Sequence, residues 1–382
     1  MMSKSQTSNI KPRTSKSFPK DFLWGSATSA YQVEGSNKNS DWEHWRVRAG
    51  LSCDHYNRFE EDFDIAKSLN QNAHRFSVEW ARIEPEKGEF DEREVEHYRQ
   101  VLKALKKRKI KPLVTLHHFT NPLWVAERGG WENPDVVSYF ESYARYIVTQ
   151  LKDLCDFWVT INEPVVYFQK GYWEGGGPPG KRDPLKGYLV IRHMLNAHRA
   201  AYDIIHDIQP KARVGIAYVL GYLRSPVPVS FDPVREFEQF FIKKAKAQDF
   251  IGVNYYRAVG RINDLPKSDI GWAIYSHGLY ENLMDVKERF DLPVYITENG
   301  IADADDDQRA DFIADHLAAT LEAISEGADV KGYFYWSLLD NFEWESGYEP
   351  RFGLVEVDYK TLKRKVRPSA RVYARIAKEN SL

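Results

Sequence analysis

Strand-like and helix-like segments alternate along this chain of 382 residues, and this alternation limits its fold more than any other feature. The strand-like segments are short, apolar and rich in β-branched or aromatic residues, and helical patterns separate them. Eight strands that alternate with helices close into a single (β/α)8 TIM barrel, an α/β fold. The predicted strands are Phe22–Ala30, Asn72–Trp80, Lys111–His118, Asp156–Asn162, Arg213–Val219, Asp249–Tyr255, Pro293–Thr297 and Lys331–Ser337.

Residues 18–382 show no linker and no shift in composition, so they are predicted to form one barrel domain. Residues 1–17 are rich in serine and almost lack apolar residues, which predicts a disordered tail. Prolines interrupt Leu220–Gln248 and leave room for only a short crossover helix. The predicted helices are Asn57–Ser68, Arg93–Lys107, Asp135–Lys152, Leu185–Ile208, Asp311–Ser325 and Pro368–Lys378.

The charge balance argues against a polyanionic partner, because 53 basic residues face 55 acidic ones. The basic run Lys103–Lys111 follows apolar residues at helical spacing, which favours a solvated helix face over a nucleic-acid site. Two cysteines, Cys53 and Cys155, are too few for a disulfide framework. No apolar run approaches the roughly 20 residues that span a bilayer. We therefore expect a cytoplasmic protein that binds neither nucleic acid nor membranes, and the sequence leaves its oligomeric state open.

Three motifs suggest cofactor or metal sites without meeting the physical requirements. Gly175–Gly180 matches a dinucleotide fingerprint, but Pro178 and Pro179 offer no N–H groups to a phosphate. His117 and His118 are adjacent on a predicted strand, so their side chains point to opposite faces. An acidic run resembles half a calcium loop, but it lacks the glycine and the final glutamate of that loop, and helix N-terminal charge explains it better. The acidic run comprises Asp303, Asp305, Asp306 and Asp307. We therefore expect the protein to need no cofactor and no metal.

Two glutamates stand where buried strands are predicted to end. Glu163, in the run Thr160–Pro164, follows the predicted strand Asp156–Asn162, and Glu298, in the run Ile296–Gly300, follows the predicted strand Pro293–Thr297. In a parallel barrel the carboxyl ends of the strands meet at the face that carries catalysis. Each glutamate alone could be an exposed or capping residue, but a pair of carboxylates at this face can cleave a sugar acetal.

Polar and aromatic residues accompany the two glutamates in the pattern that sugar binding requires. Aromatic rings cover the C–H faces of a sugar, whereas amides, carboxylates and histidine bind its hydroxyl groups. Arg75 lies within a predicted strand, and an inward arginine in a barrel needs an acid to compensate its charge. The candidates at strand ends are Asn162, Trp80, Tyr255, Tyr256 and Trp336.

From Phe18 to the last predicted helix, the chain resembles glycoside hydrolase family 1, the retaining β-glucosidase and β-glycosidase group. Several motifs of this family occur in order, which makes a chance match untenable. The motifs are Phe18–Gly25, Tyr31–Gly35, His74–Ser77, Thr115–His118, Asn162–Pro164, Asn254–Tyr256, Thr297–Gly300, Trp336–Trp344 and Arg351–Leu354.

The resemblance implies that Glu163 is the acid/base and Glu298 the nucleophile, with Arg75 and Tyr256 beside Glu298. It implies hydrolysis of the non-reducing terminal β-D-glucosyl residue of small β-glycosides through a covalent glycosyl-enzyme intermediate, with galactosyl and fucosyl residues as further candidates. Glu343 is expected to select neutral sugars, because a carboxylate repels the phosphate of a 6-phosphosugar. The remaining residues implied to hold the sugar are Gln32, His118, Asn162, Trp336 and Trp344.

Two departures from the family pattern concern the leaving-group side. Phe119 stands where the family commonly has tryptophan, and the chain is shorter than typical members, chiefly between strands five and six. We therefore expect an open aglycone side. Two alternatives remain: a transglycosidase that uses the same site, and a catalytically silent barrel that binds glycans.

Overall fold

The computed structural model of the protein describes residues 17–225 and 240–382. Eight parallel strands form a closed barrel in which each strand pairs with its neighbours in sequence and the first pairs with the last. The predicted TIM barrel is confirmed. The strands are β1 Leu23–Ala27, β2 Ala73–Ser77, β3 Lys111–His117, β4 Phe157–Asn162, β5 Arg213–Val219, β6 Phe250–Tyr255, β7 Val294–Asn299 and β8 Val330–Trp336.

Helices follow the strands and cover the outside of the barrel. Within residues 17–225 and 240–382, seven helices are twelve residues or longer, and shorter helices occupy the loops at the carboxyl ends of the strands. The long helices are His55–Ser68, Glu92–Lys107, Val136–Leu151, Pro184–Ile208, Ser276–Arg289, Arg309–Ser325 and Pro368–Glu379. The short ones are Ala30–Val33, Asp41–His44, Trp80–Ile83, Leu123–Glu127, Gly130–Glu132, Pro164–Phe168, Gln169–Glu174 and Trp344–Ser346.

In the described part of the chain, two two-stranded sheets lie outside the barrel. Tyr222–Arg224 pairs with Ala258–Gly260, and Val355–Val357 pairs with Arg364–Val366. The first sheet links the loops that follow β5 and β6, and the second lies in the loop that follows β8. Both therefore strengthen the face at which the strands end.

Two predicted segments fall largely outside the described residues. The predicted tail, residues 1–17, is described only at Ser17, and residues 226–239 of the predicted crossover are not described. The division into a tail and a domain therefore stays a prediction.

Two layers of apolar side chains hold the barrel together. A large cluster fills the space between the strands and the helices, with Trp158, Ile216 and Leu317 among its buried members. A smaller cluster fills the barrel interior and includes Phe157, Phe250 and other inward side chains. Each buried large apolar side chain contributes roughly 1.5–3 kcal/mol by leaving water. The barrel interior is therefore closely packed with apolar side chains, and the polar residues lie at the end where the strands terminate.

The basic run Lys103–Lys111 forms a solvated face, as predicted. On the helix Glu92–Lys107 the apolar residues are buried, whereas Lys103 pairs with Glu96 at 3.2 Å. Arg108 pairs with Glu60 and with Asp64. Among residues 17–225 and 240–382, no helix combines the length and apolar content that a membrane-spanning segment requires.

Candidate active site

The two glutamates singled out in the sequence lie at the carboxyl ends of β4 and β7, and both are buried, with 7% and 3% of their surface exposed. The main-chain N–H of Glu163 donates to the carbonyl of Ala217 at 2.8 Å, which ties it to β5. Glu163 has a φ of 46°, in the left-handed region that costs a non-glycine residue about 1–3 kcal/mol. Such strain persists where the surroundings impose it, and the helix Pro164–Phe168 begins at the next residue.

Arg75 crosses the barrel and links β2 to three other strands, β3, β4 and β7. Its Nη1 lies 2.5 Å from Oε1 of Glu298, and its Nη2 donates to Oδ1 of Asn162 at 2.6 Å. Its Nε donates to the hydroxyl of Thr115 at 3.1 Å. The arginine is buried, and the carboxylate of Glu298 supplies the negative charge that an inward arginine was predicted to need.

Each glutamate has a distinct set of further partners. The hydroxyl of Tyr256 donates to Oε2 of Glu298 at 2.5 Å. The amide of Asn254 donates to Oε1 of Glu163 at 2.7 Å, and a hydrogen bond from Asn254 also lowers the pKa of Glu298. One amide therefore acts on both carboxyl groups, which places them side by side. Asn254 is itself oriented by the hydroxyl of Thr297, which donates to its Oδ1 at 2.6 Å.

The two glutamates differ in their electrostatic surroundings. Burial, followed by the charge of Glu298, raises the pKa of Glu163 to about 8, while the hydrogen bond from Asn254 and the charge of Arg75 lower it. Burial also raises the pKa of Glu298, but Arg75 and Tyr256 oppose this shift. When the pair carries a single charge, that charge is better stabilised on Glu298, beside the guanidinium.

A third carboxyl group, that of Glu343, lies half-buried on the loop after β8. The amide of Gln32 donates to Oε2 of Glu343 at 3.3 Å, and its second bond, to the carbonyl of Phe342, is 2.7 Å long. Ser29 donates to Oε1 of Gln32 at 2.7 Å and fixes which way the amide points. Burial, followed by the charge of Glu298, raises the pKa of Glu343 to about 8, while a hydrogen bond from Trp336 lowers it.

Aromatic rings lie beside these polar groups. The ring of His118 lies nearly parallel to those of Trp336 and Trp344, at centroid distances of 6.0 and 6.1 Å. Burial keeps the pKa of His118 well below its usual value, so the imidazole is neutral. Its Nε2 lies 3.3 Å from the amide of Asn162, and within the described parts of the chain its buried Nδ1 has no hydrogen-bond partner. Tyr31 stacks on Trp344 and supports it from behind.

The family model of glycosyl hydrolase family 1 matches residues 14–247 and 254–382. The chain belongs to glycosyl hydrolase family 1. It is 34% identical to beta-glucosidase A of Thermotoga maritima, over 96% of this chain and 99% of that one. It is 33% identical to a beta-galactosidase of Pyrococcus woesei, over 91% of this chain and 94% of that one. The enzymatic interpretation is confirmed: the protein is a glycosyl hydrolase.

Solved structures of family 1 agree with this fold. A family 1 β-glucosidase from Thermotoga maritima superimposes with a TM-score of 0.91 at 32% identity, over 96% of this chain and all of that chain. The same enzyme in complex with galacto-hydroximolactam gives a TM-score of 0.90 at 33% identity, again over 96% of this chain and 100% of that chain. The alignment with beta-glucosidase A extends over 441 positions, more than the 382 residues here, so this family 1 member is the shorter chain.

All ten residues predicted for the family 1 site lie in one connected network of hydrogen bonds and ring contacts, although their roles stay predictions. Two other candidates lie elsewhere. Trp80 begins a short helix, and its ring stacks on Tyr143 in the outer layer. Tyr255 donates to the carbonyl of Tyr275, away from the glutamates. Both are packing residues rather than sugar platforms.

Asn254 is the site residue that the sequence reasoning missed. It appeared within the family motif Asn254–Tyr256, but only Tyr256 was assigned to the site. Its place at the end of β6, at the same barrel face as the two glutamates, was the available signal. Among residues 17–225 and 240–382, the grouping of side chains spaced to hold a metal ion is Asp269, Asp303 and Asp305, and none of them bonds to Glu163 or Glu298.

Proposed function

We propose that the protein is a retaining β-glycosidase in which Glu298 is the nucleophile and Glu163 the general acid/base. The observation that carries this assignment is the unequal pairing of two neighbouring buried carboxyl groups. Glu298 binds the guanidinium of Arg75 at 2.5 Å, whereas Glu163 accepts from the neutral amide of Asn254 and has a pKa of about 8. At neutral pH the first is ionised and the second protonated, as the first half-reaction requires.

In that half-reaction the carboxylate of Glu298 attacks the anomeric carbon and forms a glycosyl ester. The bond from the anomeric carbon to the leaving oxygen breaks, and the proton of Glu163 passes to that oxygen. A retaining enzyme needs its two carboxyl groups about 5–5.5 Å apart. Asn254 donates to Glu163 and is the register partner of Glu298 on the neighbouring strand, which supports such a spacing.

The second half-reaction uses the same residues in reversed roles. Once Glu298 is esterified it carries no charge, so the repulsion that raised the pKa of Glu163 is removed. Glu163, now ionised, takes a proton from water, and the oxygen of that water attacks the anomeric carbon. Glu298 leaves as a carboxylate, Glu163 is protonated again, and the sugar keeps its β configuration.

The polar residues around Glu343 support binding of a neutral sugar. Gln32, Glu343 and the free Nδ1 of His118 offer donors and acceptors for hydroxyl groups, and Trp336 offers a ring face to C–H groups. A terminal glucosyl residue is the substrate we propose, with galactosyl next, since relatives are named as β-glucosidases and as a β-galactosidase. These names favour hydrolysis over the transglycosidase alternative. The open aglycone side and the cytoplasmic location stay predictions.

Turnover of a panel of aryl β-D-glycosides tests this function. We expect cleavage of the glucoside, galactoside and fucoside, and at least tenfold (roughly 1.4 kcal/mol) lower kcat/KM for a 6-phospho-β-glucoside, because Gln32, Glu343 and Trp336 supply no positive charge to pair with a buried phosphate. Proton NMR of the first product distinguishes the stereochemistry, with the β anomer expected before mutarotation. An α anomer as first product, or preference for the phosphorylated sugar, would contradict the proposal.

A further inference from the structure

Three carboxylates from two loops converge beside the barrel mouth. Asp303 and Asp305 lie in the loop after β7, and Asp269 lies in the loop after β6. One carboxylate oxygen from each lies within 4.8 Å of the other two. Oxygen ligands of one Ca²⁺ ion, at 2.3–2.6 Å from it, are at most about 5 Å apart. The spacing is therefore that of ligands around a single calcium ion.

Asp303 supplies an independent observation. It is fully buried, and its Oδ2 accepts from the main-chain N–H groups of Gln308 and Arg309, at 3.1 and 2.8 Å. These bonds confirm the predicted charge at the N-terminus of the helix Arg309–Ser325. Its other oxygen, Oδ1, is also buried and has no hydrogen-bond partner within the described residues. A buried carboxylate oxygen without a partner is costly, and a cation among the three carboxylates removes that cost.

No basic side chain in residues 17–225 and 240–382 forms an ion pair with these three carboxylates. Arg309 is the cation of this region, but its guanidinium binds Asp306, the hydroxyl of Tyr335 and main-chain carbonyls. The cluster therefore carries an excess of negative charge that its own surroundings do not balance.

We propose that Asp269, Asp303 and Asp305 bind one Ca²⁺ ion that cross-links the loops after β6 and β7. The donors are all hard oxygen atoms, which favour Ca²⁺ or Mg²⁺ over zinc, and water molecules complete the coordination. Three protein carboxylates favour Ca²⁺, because Mg²⁺ keeps several of its water molecules and is usually bound through only one or two carboxylates. The single run of aspartates did not reveal this site, because Asp269 comes from a different loop.

The two loops also carry residues beside the glutamates. Asp269 already joins them, since its N–H donates to the carbonyl of Ala302 at 3.0 Å and its Oδ2 accepts from the N–H of Ala304 at 2.7 Å. Trp272, three residues on, packs against Tyr256 with ring centroids 5.6 Å apart. The ion stabilises this wall of the barrel mouth and takes no part in the chemistry.

Calcium binding to the full chain tests the site. After dialysis against EDTA, titration calorimetry with CaCl2 is expected to show one site, and Ca²⁺ is expected to raise the melting temperature. Asp269→Asn and Asp305→Asn keep the shape of the side chain and should weaken binding at least tenfold. Both residues are exposed, so these variants are expected to fold, whereas Asp303→Asn would also disturb the helix cap. Asp315→Asn, an exposed residue of the following helix, is the matched control and should bind as the wild type does.

Melting in EDTA separates the proposal from a general effect of the substitutions. Without Ca²⁺, Asp305→Asn should melt at or above the wild-type temperature, because it relieves repulsion. With Ca²⁺ it should melt below the wild type. Absence of a calcium-dependent shift in the wild type, or equal binding by wild type and Asp269→Asn, would overturn the site. Equal affinity for Mg²⁺ would overturn the assignment to calcium.

Discussion

Arg75 and Glu298 form an ion pair of 2.5 Å inside the barrel, with the side chains 1% and 5% exposed. Replacing Arg75 by alanine leaves a buried, unpaired carboxylate, which typically destabilises a protein by about 3–5 kcal/mol or forces the group to take up a proton. A protonated Glu298 cannot attack the sugar. The pair therefore links the stability of the barrel to the ionisation that the reaction needs.

The first prediction concerns Arg75→Lys, which keeps the positive charge but loses the hydrogen bonds to Asn162 and Thr115. We expect kcat/KM for an aryl β-glucoside to fall about 10²-fold or more, since misplacing a reacting group has this order of effect. The acid limb of the pH profile should also move to higher pH. Unchanged kcat/KM would show that Arg75 only fills space.

The second prediction concerns Glu163→Gln. Loss of a general acid costs about 10²–10⁴-fold in rate, and most for leaving groups that need a proton. We expect a large loss of kcat/KM for a nitrophenyl β-glucoside and a smaller one for a dinitrophenyl β-glucoside. Azide should restore turnover of Glu163→Ala and give the β-glucosyl azide. Equal losses for both leaving groups would contradict the role of acid.

The third prediction is the pH dependence of the wild type. Glu163 has a pKa of about 8, so its acid form is present at neutral pH and is lost as the pH rises through that value. The basic limb of kcat/KM should therefore fall near pH 8. Asn254 lowers this pKa by donating to Glu163, so Asn254→Leu should shift the basic limb upwards. A basic limb in the same place in this variant would refute the assignment of the limb to Glu163.

The fourth prediction concerns stability. Glu343 has a folded pKa of about 8, raised from 4.5 mainly by burial, so the folded state binds a proton that the unfolded state releases. The stability that comes from a protonated Glu343 is fully present below pH 4.5. It is lost as the pH rises towards 8, because the half-buried group then has to ionise or hold a proton that the unfolded state releases. Glu343→Gln should therefore melt higher than the wild type at pH 8 and equally at pH 4.5, while losing glucoside turnover. A lower melting temperature at pH 8 would contradict this reasoning.

Most of the barrel could be predicted from the sequence, because buried strands leave apolar runs with clear ends. Arg213–Val219 was predicted with both ends correct. The sequence pattern does not predict the helix Ser276–Arg289. Other errors lie where a strand passes into a short helix: Trp80 and Ala30 are predicted to end strands and instead begin helices. Local composition does not mark this change, since the same apolar residues suit both structures.

The two glutamates could be placed at one face because parallel strands all end there, and the family motifs supplied their neighbours. The hydrogen bonds of Asn254 could not be predicted, since they depend on the stagger between β4, β6 and β7. That Asp269 lies beside Asp303 could not be predicted for a similar reason. Its partners are distant in the sequence, and only the fold brings the two loops together.

Trapping the covalent intermediate tests the central claim most directly. A 2-deoxy-2-fluoro-β-glucoside with a good leaving group slows both half-reactions, and hydrolysis of the ester should be slowed enough for the glycosyl-enzyme to accumulate. Mass spectrometry of the intact chain and its peptides is predicted to show one fluoroglucosyl group per molecule, attached to Glu298. A label on Glu163 or on another residue, or the absence of any label from an enzyme that cleaves the parent glucoside, would contradict the account.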